Sequence, residues 1–162
     1  LALYYQPSPE LGAESVEFIM RDVDWGWLVR GSHHWAAVGM IVLGMAQAVR
    51  ALAAGSQRTQ PGSWYAGWLL MLLVLAFAFT GELLTFDQQA FWLTERALER
   101  LEGVPWVGAA LSRAARGGPD VGAATLSPVY TAHIVILPWL TGLLALFNLW
   151  LLAQGRRREA GR

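Results

Sequence analysis

Residues Arg30 to Arg50 read RGSHHWAAVGMIVLGMAQAVR. Two adjacent histidines, His33 and His34, stand at the mouth of an apolar run with no charged residue from Gly31 to Val49. A helix that crosses a bilayer needs about 20 apolar residues at about 1.5 Å of rise each. The stretch from His33 to Ala54 meets that length, and so do Trp64 to Leu84 and Pro128 to Ala153. The expected fold class is therefore all-α and transmembrane. Composition agrees: 55% of the 162 residues are hydrophobic and nine are tryptophan, far from an ordinary soluble domain.

Other chemistries are excluded by what the chain lacks. With no cysteine there can be no disulfide, thiolate metal site, cysteine nucleophile or covalent haem attachment through C-x-x-C-H. All twelve basic residues are arginine, but they form no basic stripe with interleaved aromatics, so no nucleic-acid partner is expected. No paired carboxylates, glycine-rich phosphate loop or nucleophile triad appears. Glu95, Glu99 and Glu102 alternate with Arg96 and Arg100 as i,i+4 partners on a solvated helix face.

The pass along the chain predicts one membrane domain over 1–162. LALYYQPS, residues 1–8, reads as the end of an apolar helix running into a Pro-Ser-Pro break, with more chain expected before it; it lacks the basic region and cleavage site of a signal peptide. Helices over 33–54 and 64–84, joined by the short polar LAAGSQRTQPGS, should form an antiparallel hairpin. The long connection to the helix over 128–153 holds two amphipathic stretches around a Gly-Val-Pro break, expected to lie along the interface over 86–118. GSWYAGW at the start of the second span reads as an interfacial aromatic belt. Arg50, Arg58 and the GRRREAGR tail give one side six arginines against the single acid Glu159; the other side has six arginines and eleven acids. The positive-inside rule then puts the arginine-rich C-terminus in the cytoplasm, with a bacterial inner membrane as the expected location.

A lone histidine at a helix end is accounted for by a ring reaching interfacial water, since an unsatisfied polar ring in hydrocarbon is costly. His133, however, stands five residues into the 128–153 segment, which runs in the same direction as 33–54. His33 and His133 should thus share a depth on parallel helices. Two imidazoles facing each other across a bundle are what a six-coordinate haem iron requires.

LALYYQPSPE, WGWLVRGSHHW, FTGELLTFDQQAFW, VPWVGAALSRAARGG and TAHIVILPW occur in the order, and near the spacing, of the amino-terminal half of cytochrome b from cytochrome bc complexes, which the chain resembles over almost its whole length. The resemblance implies a transmembrane four-helix bundle of the cytochrome b type, the first helix truncated in this numbering, with paired amphipathic surface helices. It looks like the split form, in which the carboxy-terminal helices are a separate polypeptide. That family holds two b haems between its second and fourth helices, on histidine pairs fourteen residues apart. Fourteen residues is about 21 Å of rise and returns to within about 40° of the same face. By the family register the outer haem falls to His33 and His133, Arg30 pairs with a propionate, and Gly81 lets the flat ring approach the backbone. His34 points about 100° away from His33.

Fourteen residues after His33 stands Gln47, and fourteen after His133 stands Phe147. Neither is a haem ligand, and Met45 points about 200° away from Gln47. One haem b is therefore expected, with the inner one absent. Phe86, Phe91 and Leu93 fall where the family lines its outer quinol pocket, but Thr85-Phe86 replaces a Pro-Trp pair and Leu93 replaces a small residue, adding volume. The implied function is a membrane electron-transfer subunit of a respiratory or photosynthetic quinone-linked complex. The implied partners are other membrane subunits including a carboxy-terminal cytochrome b half, an outer-side cytochrome or Rieske protein, quinone, and the lipid bilayer. Two alternatives stand beside it: a degenerate structural anchor with no redox role, and half of a quinol-oxidation site completed by a separate subunit.

Overall fold

The structure is a computed structural model that describes residues 1–160, with side chains as far as Gly155. Gly161, Arg162 and the side chains of the arginine tail from Arg156 onward, on which the topology reading partly rests, lie outside the described residues. Among the described residues the chain is all-helical with no strand. The elements are α1 (Gly12–Arg21), α2 (Gly26–Ala53), α3 (Ser56–Thr59), α4 (Pro61–Leu83), α5 (Gln88–Glu102), α6 (Gly108–Arg116), α7 (Ala123–Thr131), a π-turn (Ala132–Ile136) and α8 (Leu137–Ala160). Three helical stretches are long and apolar enough to cross a membrane: Gly26–Ala53, Pro61–Leu83 and Ala123–Gly155. Many of their apolar side chains are exposed, Leu43, Leu72 and Leu146 among them, as on helices that face lipid.

The first span begins at Gly26, so Arg30 and His33 lie on one continuous helix. Its start is fixed by close contact: a Cβ on Gly26 would sit 1.9 Å from the Ile19 carbonyl oxygen of α1. Only glycine lets the two backbones approach this way. Residues 1–5 close a single turn, with Tyr4 and Tyr5 N–H both donating to the Leu1 carbonyl. The third span is not wound uniformly. Pro138 has no N–H for the Ile134 carbonyl, and the turn over Ala132–Ile136 opens into π geometry. A π-turn takes an extra residue, so the regular 100° count from His133 passes through a turn that is wound differently.

The chain divides into two compact units. The first, Leu1–His33 with Phe79–Ile134, holds α1, α5, α6 and α7 with the adjoining ends of α2 and α4. Its core is small. Ala90, Thr94 and Leu98 are buried at four-residue spacing along one face of α5, beside Ile19, Leu83, Val121 and Leu126. Helix α5 starts where Asp87 Oδ1 accepts the Ala90 N–H at 2.8 Å, the N-cap arrangement that satisfies a free donor. Arg116, at the end of α6, bonds Glu95 at 3.2 Å and reaches Glu102 at 3.6 Å on α5. Its carbonyl accepts the Thr125 hydroxyl of α7 at 2.6 Å. Ser112, fully buried, donates to Glu102 at 3.1 Å.

The second unit, His34–Ala78 with Val135–Arg162, holds the greater part of the three spans and α3. Within it Ser63 on α4 donates to Asn148 Oδ1 on α8 at 2.7 Å, a polar link of the kind that joins helices in lipid. Met71 is buried, and its sulfur would lie 2.7 Å from a Cβ on Gly44.

The side chain of Arg116 is only 16% exposed, so deleting it strands the Glu95 charge it partners. Arg116→Met should weaken the α5–α6 pair by about 1.5–3 kcal/mol, the range for hydrogen bonds to charged groups. Amide hydrogen exchange over 88–116 in detergent checks this, and unaltered protection there would contradict it.

Candidate functional site

The residues that the sequence brings forward for the outer site all fall in the first unit. His33 comes from α2 and His133 from the π-turn; their ring centroids lie 6.1 Å apart with planes at 76°. His133 is half-buried, and its Nδ1 lies 2.8 Å from Thr80 Oγ1 of α4. Gly81 is the next residue of α4, and a Cβ there would lie 3.1 Å from His133 Cε1. The ring therefore rests against bare backbone on one edge and against a hydroxyl at one nitrogen. π-Turns recur where a helix must aim a functional side chain, and His133 lies within this one.

Arg30 stands one turn before His33 on α2. Its Nη1 lies 3.9 Å from Met20 Sδ of α1, and no ion pair among the described residues involves it. His34 sits edge-on to its neighbour Trp35, centroids 5.7 Å apart.

The spacing of the two rings can be tested against a bound group. A metal bonded at about 2 Å to one nitrogen of each imidazole, with each centroid roughly 1 Å behind its nitrogen, sets the centroids roughly 6 Å apart. The observed 6.1 Å meets that. Among the described residues no group of three or more histidine, aspartate or glutamate side chains is gathered to hold a metal. Two ligands are too few for a bare ion, which takes about four. They are the right number for iron whose other four positions belong to a macrocycle, and the residues present fit a b-type haem on this ground.

Of the residues expected at the family's quinol pocket, Phe91 lines a cleft in this unit. Phe91 meets Trp92 edge-on at 5.4 Å, and both line an open cleft of about 760 Å³ with Glu95, Arg96, Glu102 and Arg116. Phe86 and Leu93 are not among its lining residues. Phe86 instead occupies the left-handed region at φ 44°, and its Cβ would lie 3.3 Å from a Cβ on Gly12 of α1. Leu93 is exposed on α5.

At the positions fourteen residues on, both in the second unit, other contacts are made. Gln47 Oε1 accepts from Arg50 Nε at 3.1 Å and Nη2 at 2.7 Å. Phe147 stacks on Trp150, centroids 5.8 Å apart. Sequence reasoning missed Thr80 altogether, although it directly precedes the glycine that was singled out.

Comparison with known proteins shows the family. The family profile described as Cytochrome b/b6/petB matches residues 1–155. Cytochrome b6 of Heliobacterium mobile is 38% identical over 157 residues, covering 96% of this chain and 74% of that protein. Cytochrome b6 of a Desmonostoc species is 35% identical over 149 residues, covering 91% and 69%, and that of Mastigocladus laminosus is 34% identical over the same extent. With three helices fit to span a membrane, the chain belongs to the cytochrome b/b6 family, the integral-membrane, haem-binding electron-transfer subunits of bc-type complexes.

Proposed function

We propose that this subunit carries a single bis-histidine haem b near the outer membrane face, held by His33 and His133, and no inner haem. The observation that carries the proposal is the pair of imidazoles 6.1 Å apart, joined to the presence of Gln47 and Phe147, not histidine, fourteen residues on. When bound, the haem supplies reversible one-electron chemistry. The chain does the rest. His33 on α2 and His133 in the π-turn would hold the haem through one ring nitrogen each, and Gly81 keeps the His133 ring edge clear of a side chain. Arg30, which makes no ion pair among the described residues, would pair with a propionate. The apolar spans exclude water and so strengthen each charge interaction at the site.

Met71 occupies the space beside Gly44, one turn before Gln47, and Gln47 is tied to Arg50. A one-haem subunit has no second redox centre of its own toward the inner face. Its electrons are exchanged on the outer side, or with a cofactor held by a neighbouring membrane subunit. A cytochrome or Rieske protein at the outer face, a separate carboxy-terminal cytochrome b half and a quinone are the partners this reading assigns. The one membrane domain sits in a bacterial inner membrane with its C-terminus cytoplasmic. Quinol oxidation by this chain is disfavoured by the added bulk of Leu93 and by the seat of Phe86 against α1.

Optical spectra of the complex test the ligands. His33→Ala and His133→Ala should each remove the b-type band from this subunit, while His34→Ala keeps it; haem retained without His33 but lost without His34 would overturn the register. Arg30→Leu should keep the haem but lower its midpoint potential, because a nearby cation favours the reduced, less positive state. A redox titration showing no change would count against the propionate contact.

A further inference from the structure

We infer that Thr80 is a positioning residue for the His133 ligand and sets the potential of the outer site. The inference rests on the His33–His133 reading above and goes beyond it to a residue with no assigned role. Thr80 Oγ1 lies 2.8 Å from His133 Nδ1, a side-chain contact between α4 and the π-turn that is 53 residues long in sequence. A neutral imidazole carries its proton on one nitrogen and a lone pair on the other. With Nδ1 held at the hydroxyl, Nε2 is the nitrogen left to bind iron, so Nδ1–H donates and Thr80 Oγ1 accepts. A metal-bound histidine nearly always makes such a bond through its second nitrogen, and the bond both fixes the tautomer and raises ligand basicity.

The next residue makes room for the ring: a Cβ on Gly81 would lie 3.1 Å from Cε1. Thr80 thus holds a nitrogen of the imidazole, and Gly81 leaves no side chain to push the ring away. The ring cannot pivot about its Cβ–Cγ bond without breaking the Thr80 contact. This matters because the His133 ring stands at 76° to the His33 ring, and the angle between two axial imidazole planes governs the anisotropy of a low-spin ferric haem. A more basic, fixed ligand favours ferric iron. The Thr80 bond accordingly holds the potential below that of the same pair without it.

The test uses the assembled membrane complex with Thr80→Val, which keeps the shape and removes the acceptor, and Thr80→Ser, which keeps the acceptor. Redox titration and the ferric electron paramagnetic resonance spectrum are the readouts. In Thr80→Val the potential should rise, the low-spin signal should change its anisotropy, and haem retention on dilution should fall about ten- to a hundredfold. Thr80→Ser should restore all three towards wild type. Loss of haem in the valine variant with retention in the serine variant also supports the inference. Wild-type potential and spectrum in Thr80→Val, or loss of haem in both variants, overturns it while leaving the His33–His133 ligation standing. A wild-type complex with no b-type haem in this subunit overturns the inference and the ligation together.

Discussion

Two imidazoles carried into an apolar helical layer need partners that water cannot supply there, and the site in the first unit is arranged around that need. His133 meets a hydroxyl on one nitrogen and faces His33 at a separation that matches an ion held between two rings. The remaining features of the unit serve that facing. Gly26 brings α2 against α1 and so sets where Arg30 and His33 begin their helix. Pro138 opens the turn that carries His133. The C-terminal end of α4 supplies the threonine and the glycine that hold the ring.

The surface helices have a different physical basis. Helix α5 buries small and medium residues at four-residue spacing, and α6 is tied to it by Arg116 and by the fully buried Ser112. This is a polar clasp around a small core. Such a core supplies little hydrophobic stabilisation by area alone, so charged hydrogen bonds that are shielded from water carry a larger share here than on an open surface. The clasp anchors the segment between the second and third spans, and through α7 it is continuous with the π-turn and His133.

Much of this was legible in the residues. Uninterrupted apolar length marks the three spans, and a histidine inside such a run is conspicuous because its burial is costly, so His33 and His133 stood out. Glutamine and phenylalanine at the fourteen-residue positions were equally visible, since neither can replace an imidazole on iron. Thr80 was not legible, because a threonine in a membrane helix most often bonds back to its own backbone, and only the fold brings a histidine 53 positions later to its oxygen. Helix α1 was overlooked although its Glu17–Arg21 pair has i,i+4 spacing; it is short, partly exposed and follows a proline-rich stretch. The π-turn lay behind Pro138, a visible signal, but a proline in a membrane helix reports a kink as readily as a widened turn. Phe86 was not legible as a left-handed residue, since the sequence does not mark the turn it makes before α5 starts.

On the one-haem reading proposed here, the second unit keeps its helical frame through contacts of its own. Met71 lies against Gly44, Gln47 is held by Arg50, and Phe147 stacks on Trp150, each supplying packing or hydrogen bonding within the protein itself. The central claim is that this frame keeps the outer site alone. The most direct test is the stoichiometry of non-covalent haem per copy of this polypeptide in the purified complex, by pyridine haemochrome with the other haem-bearing subunits quantified separately. The account predicts one; a value of two, or of zero, would contradict it.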